Sequence, residues 1–140
     1  MGGVEIPFEK GLTGHSDADV LCHAITDAVI GALGLGDIGG HFPDSDPKWK
    51  DAKSTELLRA VLDIADKQGY KLSWVDTTVI AERPRLGPYM EQMKQALSKA
   101  GIQPGAINIK AKTNEGMGFT GRGEGIAAYA VCLLDNIRPF

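Results

Sequence analysis

The sequence predicts an α+β domain in which helices cover one face of a mixed four- to five-stranded sheet. Two observations indicate this class: the predicted elements follow the order β, α, loop, α, β, α, β, loop, β, and the last strand is apolar on both faces. A third is that no linker or repeat divides the 140 residues, which are enough for one hydrophobic core. We therefore expect a single domain over residues 1–140.

Three helices are predicted from the spacing of apolar residues. The first spans about residues 17–33 after a cap at Ser16 or Asp17, and it is apolar over most of its surface. Such a helix is typically buried on more than one side. The second and third helices are predicted over residues 54–69 and 88–101, where glycine ends each of them.

Four segments are predicted as strands: residues 4–8, 72–82, 107–111 and 126–134. Pro7 limits the pairing of the first segment, because proline has no backbone N–H to donate. Helices on one side of the sheet leave the second apolar face of the last strand without a cover. We infer that sheets of several copies pack against one another in an oligomer.

Composition argues against several classes of partner. The formal net charge is −3, and no basic stripe is present, so we expect no nucleic-acid or membrane binding. No apolar run approaches the roughly 18 to 20 residues that span a bilayer, and no signal peptide pattern precedes the fold. Cys22 and Cys132 lie in apolar segments, as buried thiols of a reducing compartment do. We expect a cytoplasmic protein, or one of the plastid stroma if a transit peptide has been removed.

The segment HSDADVLCHAITDA, residues 15–28, places acidic residues and two histidines at the start of the first predicted helix. His23 follows Asp19 by four residues, so the two share a helix face, either as a surface pair or as part of a metal site. His15 and Ser16 precede the helix, where they form either a phosphate site or a simple helix cap.

Residues 34–53 form a long segment that is rich in Gly, Pro and Asp and lacks periodicity. Asp37, Asp44 and Asp46 stand on its turns, where carboxylates either recognise hydroxyl groups or a metal, or serve as ordinary turn residues. Two aromatic residues in the segment argue against disorder.

Two further segments have the composition of phosphate or base sites. In AERPRLGP, Arg83 and Arg85 either hold a base or a phosphate at a strand end, or lie in a solvated turn. In KAKTNEGMGFTGRGEG, residues 110–125, closely spaced glycines allow backbone N–H groups to approach a phosphate, or they form a flexible hairpin. The spacing matches neither a P-loop nor a dinucleotide-binding motif.

Taken together, the segments HSDADVLCHAITDA, GLGDIGGHFPDSDPKWK and NIKAKTNEGMGFTGRGEGIAA resemble the 2-C-methyl-D-erythritol 2,4-cyclodiphosphate synthase family of the non-mevalonate isoprenoid pathway. The resemblance extends over essentially the whole chain in the same order. It implies a lyase that cyclises 4-diphosphocytidyl-2-C-methyl-D-erythritol 2-phosphate and releases CMP. It also implies a homotrimer with active sites between neighbouring subunits, and the cofactors Zn²⁺ and either Mg²⁺ or Mn²⁺.

The same resemblance implies roles for individual residues. His15 and Thr113 match catalytic groups that stabilise the transition state, His23 matches a zinc ligand, and Glu115 matches the ligand of Mg²⁺ or Mn²⁺. The implied substrate-binding residues are His15, Ser16, Asp37, Ile38, Gly39, Phe42, Pro43, Asp44, Ser45, Asp46, Ala81, Glu82, Arg83, Pro84, Arg85, Leu86, Gly87, Lys112, Thr113, Asn114, Glu115, Phe119 and Arg122.

The family's zinc site includes an Asp-x-His motif on a strand upstream of the segment that Gly2 and Gly3 match. The sequence contains no Asp-x-His, so we expect His23 alone to hold zinc weakly. An alternative function is therefore a catalytically impaired trimer that binds a cytidine nucleotide or an isoprenoid diphosphate without zinc. The resemblance also places Arg122 and Glu124 at the trimer axis.

Overall fold

The structure is a computed structural model that describes residues 1–11 and 17–139. The helices in this part of the chain are α1 (Val20–Ala32), α2 (Ile38–His41), α3 (Ser54–Lys67), α4 (Met90–Lys99) and α5 (Gly118–Gly121). The strands are β1 (Tyr70–Ile80), β2 (Ile107–Lys112) and β3 (Ala127–Asn136), and 3₁₀ turns occupy Pro47–Trp49 and Gly87–Tyr89. The three longer helices and the last three predicted strands are therefore confirmed, with small shifts at their ends.

The strands form one sheet in the order β2–β1–β3. Strand β1 is parallel to β2 and antiparallel to β3, which confirms the predicted mixed sheet. The predicted count of four to five strands is not confirmed, because residues 1–11 and 17–139 contain three.

The hydrophobic core lies on one face of this sheet. Val75 and Val79 of β1 point into it and meet the apolar stripe of α1, which includes Leu21, Ile25 and Val29. All five of these side chains are fully buried, and burying a side chain of this kind stabilises the fold by about 1.5 to 3 kcal/mol. Helices α3 and α4 pack on the same core, so the prediction of helices on one face is confirmed.

The opposite face of the sheet is apolar and open in the single chain. On β3, Tyr129, Val131 and Leu133 are 65%, 68% and 62% exposed, and Trp74 of β1 is 40% exposed beside them. We name these four residues the open sheet face. They bear out the predicted second apolar surface of the last strand, while its burial against other copies stays a prediction.

Residues 4–8 do not form the strand that their alternation predicts. The carboxylate of Asp19 accepts hydrogen bonds of 2.7 Å from the N–H groups of both Gly2 and Gly3, so the chain is held at the start of α1 instead. Both glycines have positive φ, and a Cβ at Gly2 would lie 2.9 Å from a methionine side chain of α4. Pro7, which lacks a donor, further weakens strand pairing here.

The cap of α1 is Asp19 rather than Ser16 or Asp17, and Ser16 lies outside the described residues. Ala18 has a φ of 54°, which turns the chain just before the helix. One carboxylate oxygen of Asp19 then accepts the N–H of Cys22 at 3.1 Å. This single carboxylate therefore fixes both the start of α1 and the preceding glycine pair.

Both cysteines are free thiols, as predicted. Burial, together with the neighbouring Asp19 carboxylate, holds the pKa of Cys22 far above its ordinary value, so this thiol behaves as a core residue. Cys132 is half-buried, and burial raises its pKa as well. In the described part of the chain, no helix has the length and apolarity needed to cross a membrane.

A polar cluster joins β1 to β2 on the side of the open sheet face. Lys110 donates to Asp76 at 2.6 Å and Asn108 donates to its other oxygen at 2.9 Å. The hydrogen bonds from Lys110 and then Asn108 hold the pKa of the Asp76 carboxyl below its usual range. Because Asp76 and Asn108 are register partners, this cluster also fixes how the two parallel strands align.

We expect Asp76→Asn to destabilise the fold at neutral pH and to matter less in acid. A carboxyl whose folded pKa is depressed contributes stability above its unfolded pKa of about 4, and this contribution is lost as the pH falls through the lower folded pKa. Urea unfolding of wild type and variant, near neutral pH and then below about pH 3, measures the difference. The exposed Asp63→Asn on α3 is the control, and a difference that does not shrink in acid contradicts the assignment.

Candidate active site

The parallel pairing of β1 and β2 brings two of the predicted substrate segments together. The carboxyl ends of parallel strands meet at one edge of a sheet, and residues 81–87 follow β1 while residues 112–115 end and follow β2. The N–H of Ala81 donates to the carbonyl of Lys112 at 2.9 Å, which joins the two segments directly. We name this region the edge cluster.

Within residues 81–87, two exposed arginines lie between two buried apolar residues. Ala81 is 7% exposed and Leu86 is 2% exposed, so both fasten the segment to the core. Arg83 and Arg85 are exposed between them. The segment therefore presents guanidinium groups on a backbone that packing holds in place, which suits a base or a phosphate better than a loose turn does.

The glycine segment is folded rather than a flexible hairpin. Its residues include α5, and the side chain of Asn114 donates to the hydroxyl of Thr120 at 2.6 Å, with Thr120 only 2% exposed. A Cβ at Gly121 would lie 2.3 Å from the carbonyl carbon of Gly116, so only glycine allows this close backbone approach. The backbone at Gly121 therefore packs directly against the backbone at Gly116.

Several predicted site residues project from this folded segment. Lys112, Thr113 and Glu115 are exposed at the edge cluster, and the Thr113 hydroxyl accepts the N–H of Glu115 at a long 3.4 Å. Arg122 is paired with Glu124 through two bonds of 2.9 and 3.2 Å. The remaining member, Phe119, is 53% exposed on α5.

A second cluster, which we name the helix cluster, comprises His23 and Asp27 on α1 with residues 37–46. The carboxylate of Asp27 accepts the N–H of Ile38 at 2.8 Å and so ties the loop to the helix. Asp37 caps α2 by accepting the N–H of Gly40 at 2.9 Å. Sequence reasoning missed the role of Asp27, although its spacing of four residues from His23 places it on the same helix face.

The long segment is ordered by its aromatic residues, as predicted. Phe42 and Trp49 form an edge-to-face pair with ring centroids 4.8 Å apart, and His41 donates through Nε2 to the carbonyl of Leu35 at 2.9 Å. Asp46 caps the following 3₁₀ turn. Asp37 and Asp46 therefore each use one oxygen in turn chemistry, while the recognition of hydroxyl groups stays a prediction. The other predicted members of this segment are Ile38, Gly39, Pro43, Asp44 and Ser45.

His23 is half-buried on α1, where its Nε2 lies 2.7 Å from the hydroxyl of Ser54. Among residues 1–11 and 17–139, no three side chains of His, Cys, Asp or Glu converge as metal ligands do. These residues by themselves therefore do not form a zinc site. His15 and Ser16, the predicted catalytic and phosphate-contacting pair, lie outside the described residues.

Among the described residues, the groove that the edge cluster lines includes no residue of the helix cluster. A groove of about 1060 Å³ contains Glu82, Arg83 and Arg122 of the edge cluster together with Asp17 at the start of α1. Of residues 37–46, none is among the described residues that line it. One carboxylate oxygen of Glu82 is buried there without a hydrogen-bond partner in the described chain.

Comparisons with known proteins match almost the whole length of this chain. The YgbB family model matches residues 1–135. The 2-C-methyl-D-erythritol 2,4-cyclodiphosphate synthase of Geobacter metallireducens is 56% identical over 137 residues, which cover 97% of this chain and 87% of that protein. The bifunctional IspDF of Campylobacter jejuni is similar with a TM-score of 0.90 and 42% identity, covering 95% of this chain and 36% of that chain. A 2C-methyl-D-erythritol-2,4-cyclodiphosphate synthase in its CDP-bound form has a TM-score of 0.87 and 37% identity, covering 96% of this chain and 87% of that chain.

The described chain thus has an α+β fold of the kind seen in these synthases. The chain belongs to the YgbB family. The family resemblance drawn from the three sequence motifs is confirmed.

Proposed function

We propose that the chain converts 4-diphosphocytidyl-2-C-methyl-D-erythritol 2-phosphate to 2-C-methyl-D-erythritol 2,4-cyclodiphosphate and CMP. The observation that carries the proposal is the backbone bond of 2.9 Å from Ala81 to Lys112, because it joins the segment proposed for the cytidine to the segment proposed for the diphosphate. The names of the relatives and the CDP-bound form of a similar structure support the same reaction.

The edge cluster is proposed to bind the nucleotide end of the substrate. Residues 81–87 would enclose the cytidine, on a backbone that the buried Ala81 and Leu86 hold against the core. Lys112 and Thr113 would meet the diphosphate, since an ammonium group and a hydroxyl neutralise and bond phosphate oxygens. Phe119 and Arg122 would complete this end of the site.

The helix cluster is proposed to bind the methylerythritol end. His15 and Ser16 would contact phosphate, and the carboxylates and backbone of residues 37–46 would bond the hydroxyl groups. Because the groove lined by the edge cluster includes none of the described residues of the helix cluster, we propose that each active site combines the edge cluster of one subunit with the helix cluster of its neighbour. A homotrimer that buries the open sheet face would supply this arrangement.

The reaction is a displacement at phosphorus without a covalent enzyme intermediate. An oxygen of the 2-phosphate attacks the β-phosphorus, the bond from that phosphorus to the oxygen bridging to the α-phosphate breaks, and CMP leaves with the electron pair. The chain's part is to hold the attacking and leaving oxygens in line and to neutralise charge. Zn²⁺ and either Mg²⁺ or Mn²⁺ would add charge neutralisation, with His23 and Glu115 as their proposed ligands.

Phosphorus NMR of the purified chain with this substrate tests the proposal. We expect the cyclic diphosphate and CMP to appear in equal amounts when zinc and magnesium are supplied, and EDTA to slow the reaction. Binding of CMP without any cyclic product in the supplemented buffer would overturn the proposed reaction while retaining the nucleotide site.

A further inference from the structure

Strand β2 is held to β1 by side chains as well as by backbone bonds. On the side of the open sheet face, one oxygen of Asp76 accepts the side-chain amide of Asn108 at 2.9 Å, and the other accepts the ammonium group of Lys110 at 2.6 Å. From the core side, the buried hydroxyl of Thr77 donates to the backbone carbonyl of Asn108 at 2.9 Å. We name these four residues the register clamp.

The apolar pattern of β2 does not by itself select one alignment. Ile107 and Ile109 are both buried, so a shift of the strand by two positions would keep apolar side chains on the core face. Among the described residues, β2 pairs with β1 alone, so no second strand corrects such a shift. The clamp opposes the shift, because the shift would separate Asn108 and Lys110 from Asp76 together. This role also explains an asparagine inside a strand, where the residue is otherwise disfavoured.

The alignment of β2 matters at the edge cluster, because the strand ends in the residues proposed for the diphosphate. A shift by two positions would move Lys112 and Thr113 by about 7 Å along the sheet relative to residues 81–87. In the observed alignment the N–H of Ala81 bonds the carbonyl of Lys112. Lys110 precedes Lys112 by two residues on the same face of the strand, so the clamp holds β2 immediately before the proposed phosphate-binding residues.

We infer that Asp76, Asn108 and Lys110 are positioning residues for nucleotide binding. By fixing β2 on β1, they set Lys112 and Thr113 at the separation from the proposed cytidine segment that one CMP unit bridges. The inference rests on the proposed function only for the identity of the ligand. A binding site made of two segments loses affinity when one of them moves by an ångström or more, even if neither loses a contact residue.

Amide hydrogen exchange and CMP titration calorimetry test the inference on Asn108→Val. This change removes the clamp's amide without altering the charge, and valine favours a strand, so the urea midpoint should stay close to that of wild type. CMP affinity should fall about 10- to 100-fold. The amide of Ala81 should exchange faster, whereas the amide of Val75, which bonds the carbonyl of Ala106 at the start of β2, should keep its protection.

A second pair of variants tests the other bond of the clamp. Lys110→Met removes the ammonium group from Asp76 and should also weaken CMP binding, while Lys110→Arg keeps a charged donor and should restore most of the affinity. Lys71→Met is the matched control, because Lys71 is exposed on β1 and its register partner is on β3. The control should bind CMP as the wild type does.

Three results would contradict the inference. One is CMP affinity that stays at the wild-type value in both Asn108→Val and Lys110→Met. Another is equal acceleration of the Ala81 and Val75 amides, which would mean that the clamp only stabilises the sheet as a whole. The third is an Ala81 amide that stays as protected in Asn108→Val as in wild type. A wild-type chain that binds no CMP contradicts the proposed function alone, and the exchange rates of Ala81 then still decide whether the clamp fixes the edge cluster.

Discussion

Replacement of Thr113 by alanine should lower turnover by about 10²- to 10³-fold and leave CMP affinity almost unchanged. Thr113 stands directly after β2, and within residues 1–11 and 17–139 its hydroxyl makes only the 3.4 Å bond with the N–H of Glu115. So long a hydrogen bond contributes little to the stability of the free protein. The hydroxyl is therefore available for phosphate oxygens as their charge changes during the displacement.

Thr113→Ser is the control that separates this role from packing, since it keeps the hydroxyl and removes only the methyl group. It should retain most of the wild-type turnover. Steady-state rates measured by CMP release, together with CMP titration calorimetry, provide both quantities. If turnover and CMP affinity fall by the same factor, Thr113 merely holds the nucleotide and its transition-state role is refuted.

Substitution of Leu133 by lysine should abolish both assembly and turnover. Leu133 is 62% exposed on β3 and lies opposite Trp74 on the open sheet face. Burial of an apolar side chain of this size stabilises an interface by about 1.5 to 3 kcal/mol, whereas burial of an ammonium group in its place costs free energy through lost hydration. If the active site needs two subunits, dissociated chains cannot turn over.

Sedimentation velocity and the CMP-release assay measure these two effects. Gln95→Lys adds the same charge to an exposed position of α4, and we expect it to remain trimeric and active. Circular dichroism should show that Leu133→Lys keeps its secondary structure. A wild-type chain that stays monomeric at micromolar concentration and is nevertheless active would refute the intersubunit site.

The elements that the sequence predicts well are those with a clear local pattern of apolar residues. Helix α3 and strand β1 bury regular stripes, α1 and β3 are apolar on most of their surface, and a sequence displays both patterns directly. Residues 4–8 also alternate, yet their neighbours are held by Asp19, which lies sixteen and seventeen residues away from its two partners. The alternation of residues 4–8 cannot reveal that a carboxylate distant in the sequence bonds the neighbouring backbone and holds it away from the sheet.

The candidate site likewise combines features that the sequence shows with contacts that it does not show. The three motifs were sufficient to recognise the family and to name residues for both ends of the substrate. They could not show that Asp17 bonds Ser54, 37 residues away, or that residues 81–87 meet Lys112, because those contacts depend on how helices pack and on which strands pair. Nor does a sequence show that the groove lined by the edge cluster includes none of the described residues of the helix cluster.

The pairing of β1 with β3 affects how the chain folds during synthesis. These strands pair residues as far apart as Tyr70 and Asn136, which are separated by 66 positions, and β3 is the last element in the described part of the chain. During synthesis, β1 has neither of its sheet neighbours until most of the later residues have emerged, and pairing between remote segments is slow. The newly made chain therefore exposes the apolar face of α1 and an unpaired central strand for longer than a local hairpin would, which makes this stage the one most open to aggregation.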